Sequence, residues 1–142
     1  QFYQDLFGMV ITADFGGNVM LSAGLVLQEQ KIWEQAIGSQ VVYGKGDGEL
    51  YFEEEDLDGF LELLEKHGID REQDYDFYQR DWGQRLVRLR DPDGHLIEVA
   101  ESERAVVRRM KRDGMSINEI GEKTHMLLEK IQGIVGEEEV HG

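Results

Sequence analysis

The chain has 142 residues, a formal net charge of −15 and no cysteine. It is long enough to bury a hydrophobic core without disulfides, and the lack of cysteine also excludes thiolate metal sites and a cysteine nucleophile. The negative charge argues against nucleic acids and anionic membranes as partners, and no apolar run approaches the roughly 20 residues of a membrane span. We therefore expect a cytoplasmic globular protein that binds small molecules or proteins.

The first 30 residues predict one helix and three short strands. In "QFYQDLFGMVI", Phe2, Leu6 and Phe7 fall near one helical face and Gly8 is a natural helix stop. The segments "VITADF", "NVMLSAG" and "LVLQEQ" are typical of short strands separated by turns. A polar, glycine-bearing connection follows, and Trp33 lies in it.

The next 50 residues predict a similar unit with an extra strand at its start. "ELYFEEED" alternates Leu50 and Phe52 with polar neighbours, which is the pattern of a strand with one face on a core. "DLDGFLELLEKHGI" predicts an amphipathic helix that stops at Gly68. "YDFYQRDW", "QRLVRLR" and "HLIEVAE" predict three strands, and the turn Asp91-Pro92-Asp93-Gly94 joins the last two into a hairpin.

These two units form an internal repeat. "FYQDLFGMVI" corresponds to "FLELLEKHGI", and "LVLQEQ" corresponds to "LIEVAE", so two βαβββ modules are predicted over residues 1–101. The opening strand of the first module is absent from the given sequence. The fold class is therefore α+β, and residues 102–142 form a separate C-terminal extension.

The extension differs from the first 101 residues in charge and pattern. It carries seven basic and eight acidic residues, whereas the preceding part carries eight and 22. "SERAVVRRMKRDG" predicts a helix that ends near Gly114, Ser116 and Glu119 form a capping box at the start of a second helix, and "MLLEKIQGIV" predicts a third. Three short helices resemble a helix-turn-helix unit.

Glu98 is a carboxylate inside an otherwise apolar strand. Because Ile97 and Val99 are expected to face the helices, period-2 alternation turns Glu98 to the opposite face of the sheet. Arg88, across the hairpin, is its natural ion-pair partner. The residues leave two interpretations open for Glu98: a functional group or a partner of Arg88.

The paired modules, and above all "DPDGHLIEV" after "LVRLR", resemble the vicinal oxygen chelate superfamily, which includes glyoxalases, bleomycin-resistance proteins and extradiol dioxygenases. The resemblance covers about residues 1–101. It implies that the two modules curl into one open, cup-shaped sheet that holds a metal or an organic ligand. It also implies a homodimer.

The resemblance further implies a divalent metal, Mn, Ni, Zn or Fe, in the cup. Glu98 matches the final-strand ligand and would be the catalytic carboxylate, and Glu49 stands where the second module usually supplies a histidine. Leu27, the repeat partner of Glu98, has no ligand atom, and Glu29 would replace it only if the strand register shifted. A strand upstream of Gln1 would carry the fourth ligand.

Aromatic residues and an arginine are the expected ligand contacts. Tyr51 shares a face with Glu49, Trp82 precedes the arginine-rich strand, and Arg88 matches a cup-lining position of the superfamily. Such a pocket suits a small polar or anionic organic molecule. Equally, aromatic residues at these positions are typical of a hydrophobic core.

Three functions follow from the resemblance. The first is a metal-dependent lyase, isomerase or dioxygenase-type enzyme that acts on a small oxygenated metabolite. The second is a metal-free protein that sequesters a small molecule, as drug-resistance members do. The third is a ligand-sensing transcription regulator, but the predicted recognition helix offers mainly Lys130 and Gln132 for base contact. Bracing within the chain or across a dimer is the favoured role of the extension.

Overall fold

The computed structural model describes residues 1–46, 48–72 and 78–141. Its first module begins with helix α1 (Phe2–Phe7), followed by strands β1 (Ile11–Asp14), β2 (Asn18–Leu21) and β3 (Val26–Gln28). These strands form an antiparallel sheet in the order β1-β2-β3, and a tight turn at Ser22–Gly24, with Ala23 in the left-handed conformation, joins β2 to β3. Helix α2 (Gln30–Ile37) then leads toward the second module.

The second module has the complete set of elements that the repeat predicts. Strand β4 (Glu49–Glu54) is followed by helix α3 (Leu57–Lys66) and by strands β5 (Tyr78–Gln79), β6 (Arg85–Arg90) and β7 (Leu96–Glu101). The sheet order is β4-β7-β6-β5: β4 pairs in parallel with β7, and β6 and β7 form the antiparallel hairpin. The predicted α+β fold of paired modules in an open sheet is confirmed.

Three helices follow the second sheet: α4 (Glu103–Arg112), α5 (Ile117–Thr124) and α6 (Leu128–His141). The predicted capping box is present at α5, because Ser116 Oγ accepts from Glu119 N–H at 3.2 Å and the Glu119 carboxylate accepts from Ser116 N–H at 2.7 Å. Among the residues that the structure describes, no helix combines the length and apolar character needed to cross a membrane.

Two elements differ from the sequence prediction. The sequence predicts a polar connection around Trp33, but residues Gln30–Ile37 form α2, which ends at Gly38 in the left-handed conformation. The strand predicted over 75–82 lies partly outside the described residues, and the part that is described contains the two-residue strand β5.

The main core lies between the second sheet and helices α1 and α3. Val87, Leu89, Ile97 and Val99 point from β6 and β7 into this core, which confirms the predicted alternation. Phe7 stacks on Phe52 with ring centroids 4.1 Å apart. Burying an aliphatic side chain of this size contributes about 1.5–3 kcal/mol each. The opposite face of β6 and β7 is therefore free to carry polar groups.

A second core joins the C-terminal helices, and one buried carboxylate ties them to the sheet. Its buried members are Val106, Val107, Met110, Ile120, Ile131 and Ile134. Glu101, at the end of β7 and only 2% exposed, accepts from Arg109 Nε and Nη2 at 2.8 Å and from Arg85 Nε at 2.8 Å. Burial alone would raise the pKa of Glu101, but the hydrogen bonds from Arg109 and Arg85 hold it below its ordinary value.

We predict that Glu101→Gln lowers the free energy of unfolding by about 3 kcal/mol, because the largely buried Arg109 guanidinium loses the carboxylate that balances its charge. The matched control is Glu103→Gln, two residues away, where the carboxylate pairs with Lys130 at the surface. An exposed pair is worth less than about 1 kcal/mol. Urea denaturation of both variants measures the difference, and equal losses would contradict the assigned role of Glu101.

The stabilisation by Glu101 should also depend on pH. Because its pKa is lowered in the folded state, the contribution is complete above the ordinary pKa of 4.5 and is lost as the pH falls through the folded-state value. The difference in unfolding free energy between the wild type and Glu101→Gln should therefore be constant near neutral pH and shrink at acid pH. If the difference grows as the pH falls, the pKa of Glu101 is not lowered in the folded state.

Candidate functional site

Glu98 lies on the face of the second sheet opposite the main core, as the alternation predicts. It is 3% exposed. The strand register places it between Tyr51 of β4 and Arg88 of β6, so these three residues form a row across three strands. We call this face of the sheet the cup.

One oxygen of Glu98 accepts hydrogen bonds from two arginines. Arg80 Nη2 and Arg88 Nη2 each donate to Oε1 at 2.9 Å. Arg88 Nε also reaches Glu49 Oε2, at 3.4 Å. Glu98 therefore forms the predicted ion pair with Arg88, and its catalytic or metal-binding role stays a prediction. The structure adds Arg80, which sequence reasoning did not find.

The predicted aromatic contacts do not all lie in the cup. Tyr51 lies there, 48% exposed, and burial raises the pKa of its hydroxyl although a hydrogen bond with the Gln84 side chain opposes the rise. Trp82 instead packs against the core of the C-terminal helices. Trp33 lies on α2 and is 46% exposed.

A second polar cluster surrounds the hairpin turn. Asp91, buried, accepts from the Tyr3 hydroxyl at 2.7 Å and from the backbone N–H groups of Asp93 and His95, and its carboxylate also contacts His95 Nδ1 at 2.9 Å. Burial favours a higher pKa for Asp91, but the bonds from Tyr3 and His95 outweigh it and lower the pKa. For Tyr3, burial and then Asp91 both raise the hydroxyl pKa. The cluster ties α1 to the turn.

A cleft of about 820 Å³ lies between strand β3 and the start of strand β4, next to the hairpin turn at residues 91–95. Tyr3, Leu27, Trp33, Tyr43, Glu49 and His95 contribute to its lining. It runs along β3, which is the last strand of its sheet and exposes 46% of Val26 and 41% of Leu27. Glu49 belongs both to this cleft and to the cup, because its carboxylate contacts Arg88.

The fold and this site define a class: an α+β protein with two related modules and a polar cup on one sheet. The chain belongs to the glyoxalase-like domain family, whose model matches residues 1–104. Its structural neighbours lie in the glyoxalase, bleomycin-resistance and dioxygenase superfamily. The C-terminal helices, apart from the first residues of α4, lie beyond this match.

Known structures support the assignment. A protein of unknown function from Agrobacterium tumefaciens str. C58 is 34% identical with a TM-score of 0.60, and the match covers 71% of this chain and 80% of that chain. A lactoylglutathione lyase from Agrobacterium tumefaciens is 23% identical, with a TM-score of 0.55 and coverages of 72% and 81%. A fosfomycin resistance protein from Listeria monocytogenes is 15% identical, with a TM-score of 0.54 and coverages of 71% and 78%. The last two show the fold alone. A comparison with curated proteins gave no match.

Members of the superfamily often bind a divalent metal, and the cup can be tested for its fit to one. A metal–oxygen bond is about 2.1 Å, so a cation on Glu98 Oε1 would lie within about 5 Å of both guanidinium nitrogens. Both would repel it. Glu49, the other predicted ligand, also contacts Arg88. Among the residues that the structure describes, the donor set of the cup therefore does not fit a divalent cation.

Asp91, Asp93 and His95 are another group whose possible ligand atoms lie within 4.8 Å of one another in the described part of the chain. Both carboxylate oxygens of Asp91, however, already accept hydrogen bonds from Tyr3, from backbone N–H groups and from His95. A cation would have to displace these bonds, which shape the turn. We therefore interpret this group as structural.

The structure brings together Glu98, Arg88 and Tyr51, which the sequence singles out, and adds Arg80 and the Tyr3–Asp91 bond, which it does not. Arg80 follows a strand of two residues, too short for an alternation pattern. Tyr3 and Asp91 are 88 residues apart, so no local signal could pair them.

We predict that Tyr3→Phe lowers the free energy of unfolding by about 1–2 kcal/mol, because Asp91 loses a buried donor. Tyr43→Phe is the matched control: its hydroxyl donates to Gln30 at 3.0 Å in an exposed position, and we expect little change. Thermal and urea unfolding of the two variants provide the comparison. If Tyr43→Phe costs as much as Tyr3→Phe, the bond to Asp91 does not stabilise the turn.

Proposed function

We propose that this protein binds a small oxygen-bearing organic molecule in the cup without a resident metal ion. The single observation that carries the proposal is the pairing of Glu98 Oε1 with both Arg80 and Arg88 at 2.9 Å. Glu98 matches the position of a metal ligand in the superfamily, but here its carboxylate binds two guanidinium groups. Guanidinium groups, in turn, are donors for ligand oxygens.

The exposed groups of the cup suit such a ligand. The Arg80 side chain is 42% exposed, so its guanidinium offers N–H donors to the cup beyond the one bound to Glu98. Tyr51 provides a hydroxyl and an aromatic face next to it, and the charges of Glu98 and Arg80 both act on Tyr51. Carboxylate, phosphonate or vicinal hydroxyl oxygens would find matching donors here.

The other functions expected from the sequence have less support. A metal-dependent lyase, isomerase or dioxygenase would need a cation that the cup disfavours. For a DNA-binding regulator, basic residues of α4 would have to face phosphates, but Arg104 pairs with Glu137 at 3.0 Å and Arg108 with Glu138 at 3.3 Å. These contacts support bracing within the chain. Homodimer formation and a cytoplasmic location stay predictions.

We do not place the ligand in the cleft beside β3. The repeat makes β3 the counterpart of β7, and β7 pairs in parallel with the opening strand β4 of its own module. The edge of β3 therefore corresponds to the edge of β7 that pairs with β4. The apolar side chains of Val26 and Leu27 on this edge suit a neighbouring strand.

Three measurements test the proposed function. Protein purified without chelators should hold less than about a tenth of an equivalent of divalent metal, and Mn²⁺, Ni²⁺ or Zn²⁺ should not raise its melting temperature. Stoichiometric metal, or Mn²⁺ broadening of the NMR signals around Glu98, would contradict it. Oxalate, as a probe with vicinal oxygens, should shift the signals of Arg80, Arg88 and Tyr51 with millimolar affinity.

The variant Arg80→Gln should weaken oxalate binding about tenfold, since a charge-assisted hydrogen bond is worth about 1.5–3 kcal/mol. Arg112→Gln is the matched control, because this arginine is exposed on helix α4 and does not lie on the sheet that forms the cup. Equal affinities for the two variants, or no shift at any cup residue, would reject the cup as the binding site.

A further inference from the structure

We infer that the C-terminal helices position Arg80 in the cup, with Arg109 and Trp82 as the positioning residues. Only the consequence of this inference for ligand binding rests on the proposed function. Its structural claim, that α4 holds the turn that carries Arg80, can be tested without a ligand.

The turn between β5 and β6 has one side in the cup and the other on the helices. It is closed by two backbone bonds at 2.8 Å, from Arg80 N–H to Gln84 O and from Gly83 N–H to Arg80 O. Arg80 extends from it to Glu98, whereas Trp82 packs against the helical core. A movement of this turn would therefore move Arg80 relative to Glu98.

Helix α4 contacts the turn closely. Arg109 Nη2 donates to Gly83 O at 2.6 Å. Gly83 has φ +93°, and a Cβ atom there would come within 2.2 Å of the Met110 side chain. Only glycine combines this backbone conformation with such close packing. The turn between β5 and β6 is thus closely packed against α4.

Arg109 also fixes the turn relative to strand β7. The guanidinium that donates to Gly83 O donates from Nε and Nη2 to the carboxylate of Glu101, which is three residues after Glu98 on β7. Gln84 adds a second tie, from its side-chain Nε2 to Glu101 O at 2.7 Å. Both partners of the Arg80–Glu98 pair are consequently held by one arginine of the extension.

This arrangement assigns the extension a role in the cup that the glyoxalase-like match does not cover. Its helices supply no group to the cup in the part of the chain that the structure describes, yet they determine where Arg80 lies. By linkage, a ligand that binds Arg80 should also stabilise the packing of α4. The C-terminal extension thus helps to fix the geometry of the proposed binding site.

The test measures the reactivity of Arg80 toward phenylglyoxal by mass spectrometry of the full chain. In Arg109→Leu, we expect the rate for Arg80 to rise about fivefold, as for loss of a partly exposed ion pair. Glu98→Gln gives the reference for a broken pair. Arg104→Leu, on the same helix but paired with Glu137, is the matched control and should leave the rate unchanged.

Arg109→Lys covers the case in which Arg109→Leu does not fold, because it keeps a positive charge near Glu101 but lacks the fork that reaches Gly83 O. It should also raise the reactivity of Arg80, with exposed Arg112 as the internal standard. An unchanged Arg80 rate in folded Arg109→Lys and Arg109→Leu would overturn the inference. Equal increases in Arg104→Leu would do the same, since they would indicate general loosening.

Oxalate titration of the same variants separates the two proposals. Weaker oxalate binding in Arg109→Lys, with wild-type affinity in Arg104→Leu, supports both. If oxalate does not bind the wild type while the Arg80 reactivity responds to Arg109, the proposed function fails and the positioning role stands. If oxalate binds but neither its affinity nor the Arg80 reactivity responds to Arg109, only the positioning role fails.

Discussion

A carboxylate buried in a sheet must be paired, and this requirement governs the second module. Strand β7 carries two such carboxylates, Glu98 and Glu101, on opposite faces, and each accepts from two guanidinium groups. An unpaired charge at either position would cost several kcal/mol, at least about 3. Glu98 thereby organises the cup, and Glu101 joins the sheet to the C-terminal helices.

The arginine-rich strand β6 supplies much of this compensation. Arg85 pairs with Glu101 and Asp58, Arg88 with Glu98 and Glu49, and Arg90 with Glu72. In a chain of net charge −15, these arginines are therefore all engaged in ion pairs within the protein. The same pairing makes the cup nearly neutral, which suits an oxygen-bearing organic ligand better than a cation.

Features with a local signal could be predicted from the sequence, and features that depend on distant partners could not. The alternation around Glu98, the hairpin and the capping box at Ser116 are all set within a few residues. Helix α2 lacks an N-capping signal in the sequence, because Glu29 stands at its N-cap and makes no side-chain capping bond. The second guanidinium at Glu98 and the partner of Asp91 depend on the assembled fold.

The hairpin of β6 and β7 has a consequence for the order of folding. Arg88 and Glu98 are ten residues apart and can meet as soon as the hairpin closes, an event of about 1–10 μs, whereas β4 must find β7 across a much longer loop. We therefore expect Glu98 to acquire its counter-charge while still in water. The folding chain then does not have to bury an unpaired carboxylate. When β4 later pairs with β7, Glu98 already forms its ion pair with Arg88.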